Sequence, residues 1–298
     1  IVTESGRIIA AYHSVVVTDI REIQSVETWN PQSNDPQKFA ENAKFHKNIS
    51  ELEYILNNIN GKNYVEFYHD ATDYYDEIFT LFNLGFIDLE QRAFVEKIFM
   101  TICKAALKFS HQEKHPLEEF VELQQRMVTK YLANFSIFQS IPDSWAINQL
   151  FPVLPLSHHE KIPTHKASIV DITCDSDGCL EKFIDRRDVK TVLNLHDPEN
   201  RPYYLGFFLV GAYQESLANE HNLLGAINEI ELITTENGNW EINKTTKGEP
   251  ICELLENRNY DRTEIMANLK NQLTDSPSSI AALQELKAVM DNLPYLTQ

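Results

Sequence analysis

Apolar positions along the chain fall into two textures. Between residues 50 and 131 they recur at helical spacing. Leu52, Ile55, Leu56 and Ile59 stand at i, i+3, i+4, i+7, opened by a Ser50/Glu53 capping box and closed by Gly61. Val65, Tyr68, Thr72, Tyr75, Phe79 and Phe82 carry a second helix to Gly85. Asp88 caps a third, with Ile98, Ile102 and Ala106 on its inner face. Pro116, a favoured first helical position, opens a fourth with Phe120, Met127 and Tyr131. Four amphipathic helices with short connections predict a bundle over residues 38–131, whose aromatic positions read as core rather than as a cofactor box.

The flanks read differently. A β-rich apolar run spans Ile8 to Val17, and a polar linker from Glu27 to Gln37 carries Pro31 and Pro36. Beyond Tyr131, strand-like runs stand at Leu132–Ser140, Ala167–Thr173, Thr191–His196, Tyr203–Val210 and Ile227–Thr234, separated by Pro, Gly and Asp clusters. Asn237-Gly238 before Trp240–Asn243 predicts a hairpin. Helices return from Glu249, with a capping box at Asp261/Glu264 and a last helix from Ser276-Pro277 through Met290. The expectation is an α+β chain. An antiparallel sheet or barrel begins in residues 1–26 and continues over 132–248, a four-helix bundle is inserted after its first strand, and a helical extension covers 249–298. No internal repeat is visible. The chain starts at Ile1 inside a strand-like run, so upstream sequence is expected.

Composition narrows the classes. With 43% hydrophobic and 23% charged residues among 298, the balance is that of an ordinary globular chain. No run approaches a membrane span, and no signal peptide is visible. The net charge of −18 disfavours nucleic acid and anionic membranes and suits a cationic ligand, although it also serves plain solubility. Cys103, Cys174, Cys179 and Cys252 are too few for a disulfide scaffold and lack zinc-ribbon spacing, which fits a reducing, cytoplasmic setting.

Candidate chemistry sits in the turns. In Glu4-Ser5-Gly6-Arg7, the glycine lets backbone N–H groups approach an anion and the arginine suits a phosphate, although such turns are common. Asp171-Ile-Thr-Cys174-Asp175-Ser-Asp177-Gly178 follows a strand. It reads either as an Asx-rich turn or as a reactive thiol beside paired carboxylates for a guanidinium or amine. A calcium loop is excluded, because that register puts Thr173 first and Ile184 last. Gly211-Ala-Tyr213-Gln-Glu and Phe138-Gln-Ser-Ile-Pro-Asp143-Ser-Trp145 read locally as junctions with a half-buried tyrosine and a turn-capping aspartate. His221 reads as part of a loop or a helix end. His158, His159 and His165 have no carboxylate pattern near them, and no nucleophile elbow, P-loop or zincin motif is present.

Taken in order, the strings at 138–155, 171–178, 205–215 and 221–225 closely resemble the biosynthetic arginine decarboxylases, and the resemblance runs along essentially the whole chain. These belong to the fold-type III pyridoxal-phosphate (PLP) decarboxylases, with an N-terminal (β/α)8 barrel and a C-terminal β-domain. The arginine enzymes add a helical bundle and a helical extension. The resemblance therefore implies that this chain is a C-terminal half, that the PLP-binding barrel with its Schiff-base lysine lies upstream and ends within residues 1–26, and that the reaction is L-arginine to agmatine and CO2 in polyamine biosynthesis. It implies a pyridine-nitrogen partner in Glu4 and phosphate contacts in Gly6, Arg7 and Tyr213. Ser5 departs from the relatives' proline, whose role is backbone shape. It implies a catalytic Cys174 reaching the partner subunit's reaction centre, a substrate-binding Asp175 with Asp177 as second guanidinium carboxylate, a substrate-amine role for Asp143, and a pocket-lining His221. A shared site makes the expected partner a second copy of the chain, as a homodimer or a higher homo-oligomer, and the fragment alone is expected to be inactive. Magnesium is associated with this family, but no ligand cluster is legible here. The rival readings are an ornithine, lysine or diaminopimelate decarboxylase and a non-catalytic regulator that kept the fold.

Overall fold

The computed structural model describes residues 6–26, 47–114, 117–186, 188–198, 201–273 and 276–297. Glu4, Pro116 and the polar segment 27–37 lie outside them. Two compact units result. One comprises Ile1–Ile23 with Lys130–Gln298, the other Gln24–Thr129.

The first unit opens with helix α1 (Gly6–Ala10), a 3-10 turn (Ala11–His13) and strand β1 (Val15–Gln24). The run Ile8–Val17 is therefore not all strand. Ile8 and Ile9 are exposed and only Ala11 is buried, so no buried face holds an extended ladder there.

In the second unit, helices α2 (Lys47–Asn58), α3 (Tyr64–Asn83), α4 (Leu89–Ser110) and α5 (Glu118–Arg126) interlock. Leu52, Ile55, Ala71, Ile78, Ile98 and Ile102 form one buried cluster. Tyr64, Cys103, Ala106, Phe120 and Leu123 form another. Tyr75 stacks on Phe99 at 4.4 Å. Phe120 is buried and Tyr68, Tyr75 and Phe82 pack half-buried against these clusters, as their spacing predicts, but Phe79 is exposed and Tyr131 lies in a strand of the first unit rather than on the fourth helix. Asp88 makes the expected cap, in a capping box with Gln91. Ser50 and Glu53 do not, because α2 already runs from Lys47. Burial of Asn48 and Ile49 starts the apolar stripe earlier and overrides the local cap signal. Leu117, without a side-chain cap, precedes α5.

The chain then returns to the first unit through β2 (Thr129–Ala133), α6 (Ile137–Ser140), α7 (Pro142–Ile147), β3 (Val153–Pro155) and β4 (His165–Val170). The strand expected over Leu132–Ser140 ends at Ala133. Ser136 Oγ accepts from Gln139 N at 3.3 Å and caps α6 instead. Short strands β5 (Cys179–Leu180), β6 (Phe183–Ile184), β7 (Val189–Lys190) and β8 (Leu193–Leu195) lead to β9 (Tyr204–Phe208). The main sheet runs β3-β9-β1-β2-β4-β5, with β8 also on β4. The β1/β9, β3/β9, β4/β5 and β4/β8 pairs are antiparallel. Tyr131, Phe135, Ile169, Leu195, Tyr203, Leu205 and Phe207 fill its core. This core fixes the sheet from whose loop ends the functional candidates project.

The hairpin β10 (Glu229–Thr234) and β11 (Trp240–Thr246) forms where Asn237-Gly238 predicts it, with Gly238 at φ 76°. Helices α8 (Ile251–Glu256), α9 (Arg262–Gln272) and α10 (Pro277–Met290) follow. Asp261 accepts from Glu264 N at 2.9 Å, and Ser276 caps α10.

Candidate active site

The loop that follows β4 is built on Asp171. This side chain is buried. Its Oδ2 accepts from Ile137 N at 2.8 Å, and its Oδ1 accepts from Thr173 N at 2.8 Å and Thr173 Oγ1 at 2.6 Å. Burial pushes its carboxyl up from 3.8, while those hydrogen bonds and nearby His221 pull the other way. The loop closes through Asp171 N to Gly178 O at 2.8 Å and Gly178 N to Asp175 O at 3.0 Å. A Cβ on Gly178 would stand 2.3 Å from Asp171 Oδ1, so only glycine fits there. Asp171 is thus the loop's internal anchor, and the loop's other polar side chains are left to face outward.

Three of those carry the predicted chemistry, and each has a neutral or weakly basic neighbour. Cys174 is exposed and accepts from Asn222 Nδ2 at 3.2 Å. Cys103 and Cys252 are buried and Cys179 is half-buried. Burial pushes the Cys103 and Cys179 thiols up to about 12, with Glu181 adding to the effect on Cys179. Asp175 Oδ1 accepts from Asp177 N at 2.9 Å, and its Oδ2 lies 3.5 Å from His221 Nε2. Asp177 Oδ2 accepts from Trp145 Nε1 at 3.0 Å. Phe138 joins the two aromatic neighbours. It meets Trp145 edge-on at 5.2 Å and lies 4.5 Å from the His221 ring. Asn222 and Leu223 both hold positive φ (55° and 58°), which turns the chain at the His221 end.

A second set gathers around Arg7. Its Nη2 donates to Asp143 Oδ2 at 2.7 Å, and its guanidinium lies over the Tyr213 ring at 5.1 Å. Gln214 clamps Asp143 twice, its Nε2 donating to Asp143 Oδ2 at 2.8 Å and its Oε1 accepting from Asp143 N at 3.1 Å. Asp143 is 3% exposed and is committed to Arg7 and Gln214. That differs from the expectation of an open carboxylate awaiting a substrate amine. Arg7 Nη1 is buried with no hydrogen-bond partner among the described residues. A Cβ on Gly6 would stand 3.3 Å from the Tyr213 hydroxyl. Tyr213 holds φ 72°, a conformation costly for a non-glycine residue and concentrated at functional sites. A guanidinium N–H without a partner, a glycine backbone and a phenol hydroxyl together suit an anionic oxygen such as a phosphate's. Glu4 lies outside the described residues.

Sequence reading missed Trp145, Gln214 and Asn222 as members of these sets. All three lie inside strings already singled out, but their local context gives only turns, junctions and a loop. Among the described residues no group of three or more His, Cys, Asp or Glu is placed to hold a metal ion, and no helix is long and apolar enough to cross a membrane.

Comparisons with known proteins place the chain. Residues 42–124 match the arginine decarboxylase helical bundle domain. The biosynthetic arginine decarboxylase of Deinococcus radiodurans is 39% identical over 91% of this chain and 41% of its own length. That of Bacteroides thetaiotaomicron is 36% identical over 98% of this chain and 46% of its own length. The crystal structure of the Campylobacter jejuni biosynthetic arginine decarboxylase matches with a TM-score of 0.76 at 34% identity, over 98% of this chain and 46% of that one. The chain therefore spans less than half the length of these relatives.

Proposed function

The chain belongs to the biosynthetic arginine decarboxylase family, and from that premise we propose that it supplies the C-terminal part of an enzyme that converts L-arginine to agmatine and CO2 with PLP. The observation that carries the reading is the 174–177 loop. It presents an exposed thiol and two carboxylates, none of them neutralised by an ion pair to a described Lys or Arg. Asp175 and Asp177 bind the distal cation of the substrate through charge-assisted hydrogen bonds. Cys174 holds the proton that returns to the substrate α-carbon, and Asn222 orients its sulfur. Arg7, Gly6 and Tyr213 hold the cofactor phosphate, with Asp143 and Gln214 fixing the Arg7 side chain. The cofactor, when bound, supplies the sink for the electron pair released as CO2 leaves. Glu4 is assigned the ring nitrogen on the family resemblance.

The same reading makes the site shared across a two-fold homodimer, with Cys174 of one copy serving the reaction centre of the other. The Schiff-base lysine lies in the part of the longer protein beyond this chain, so the fragment alone is inactive. The test is CO2 release by the full-length protein with PLP, offered arginine, ornithine, lysine and diaminopimelate separately. Turnover of arginine alone is expected. Turnover of another amino acid overturns the substrate. No turnover with PLP bound moves a non-catalytic regulator to the front.

A further inference from the structure

The two carboxylates of the 174–177 loop are held in different ways. Asp175 is half-buried and tied to the loop backbone, with the cationisable ring of His221 beside its second oxygen. Asp177 is exposed, and the side chain that holds its carboxylate comes from α7, 32 positions earlier in sequence. That side chain is Trp145. Its own position is set twice over, by the edge contact with Phe138 and by its short helix. Pro142 starts α7, and Asn148 ends it in the left-handed conformation at φ 54°.

An indole N–H only donates, so the direction of this hydrogen bond cannot reverse. It occupies one oxygen of Asp177 and leaves the charge of the carboxylate intact, as a lysine or arginine partner would not. A guanidinium carries five N–H donors in a planar fork, and one carboxylate cannot satisfy them. An ammonium carries three donors on one atom, and Asp175 can serve it with far less help. We propose that Trp145 is a positioning residue that aligns Asp177 for a guanidinium, and that this pair sets the preference for arginine over ornithine and lysine. The inference rests on the arginine decarboxylase reading above and names what makes that site selective.

The test is steady-state kinetics of the full-length, PLP-loaded enzyme carrying Trp145→Phe, Asp177→Asn and both changes. Phenylalanine keeps an aromatic ring against Phe138 and removes the N–H together with the five-membered part of the indole. Loss of one hydrogen bond to a charged group is expected to raise KM for arginine about tenfold with kcat within about twofold. Binding of lysine and ornithine, read as Ki for inhibition of arginine turnover, should move far less, so the arginine-to-lysine ratio of apparent affinities falls. Because Trp145 acts through Asp177, the double variant should be no worse than Asp177→Asn. Losses that multiply, or that fall equally on arginine and lysine, overturn the inference and leave the reaction assignment standing. If Trp145→Phe fails to fold, Asp177→Asn reads the same contact from its other end. An unchanged arginine-to-lysine ratio there is equally fatal. A wild-type enzyme that turns over no arginine overturns both.

Discussion

The helical unit and the loop ends of the sheet unit use polar side chains in opposite ways. In the bundle, polar bonds are mostly short-range. Gln91 answers Asp88 three positions away, and Thr72 and Thr80 bond carbonyls four positions back. Its long-range contacts are mainly apolar, as in the cluster of Leu52, Ile78, Ile98 and Ile102, with Asn48–Glu77 and His69–Glu119 as polar exceptions. At the loop ends the decisive contacts are polar and distant. Arg7 reaches Asp143 across 136 positions, Gln214 reaches Asp143 across 71, and Asn222 reaches Cys174 across 48. The bundle thus resembles a scaffold whose stability is spread over many buried methyl groups. The loop cluster concentrates its organisation in a few polar bonds, which is what placing chemical groups at fixed positions requires.

The largest effect expected from this contrast is on stability alone. Ile102 is fully buried, and Ile102→Ala should cost roughly 3 kcal/mol in urea or thermal unfolding. It should leave the arginine KM of the refolded full-length enzyme unchanged, and a shifted KM would break the division of labour. Asp143→Ala should cost somewhat less, about 2 kcal/mol, because the Arg7 side chain is one-third exposed and water partly compensates it. Unlike the first change it should also weaken PLP retention, read from the cofactor absorbance after dialysis. Retention equal to wild type would separate Arg7 from the phosphate.

The smallest effect is a pH slope from Asp171. Its carboxyl is raised by burial, so the folded chain holds that proton more tightly than the unfolded chain does. The stability it contributes is full below 3.8 and is lost as pH rises through the raised value. Asp171→Asn removes that titration, so its midpoint should fall less than the wild type's as pH rises from about 3.8 toward neutrality. Parallel profiles for the two proteins would show that the buried carboxyl is not titrating as described.

Much of this was legible in the residues. The apolar stripes from Leu52 and from Val65 are helices, the first ending at Asn58, Asp88 is a cap, Asn237-Gly238 is a hairpin turn, and Ser276-Pro277 opens a helix that ends at Met290. Each is a local signal in which neighbours in sequence are neighbours in space. Local signals failed where burial or a competing hydrogen bond intervened. Ser50 lost its capping role to the earlier burial of Ile49, and the Leu132–Ser140 run was cut by the Ser136 cap and by Asp171 drawing in the Ile137 amide.

The site divides along the same line. The sequence alone marked the strings holding Arg7, Asp143, Cys174, Asp175, Asp177 and Tyr213, and pointed to their family. It did not show that Asp143 belongs to Arg7, that Asn222 donates to Cys174, or that Trp145 holds Asp177. Periodicity, caps and turns report only on the few residues that one helical turn or one hairpin brings together. A polar group's partner is decided by which loop ends the folded sheet sets side by side, and only the tertiary structure makes that choice.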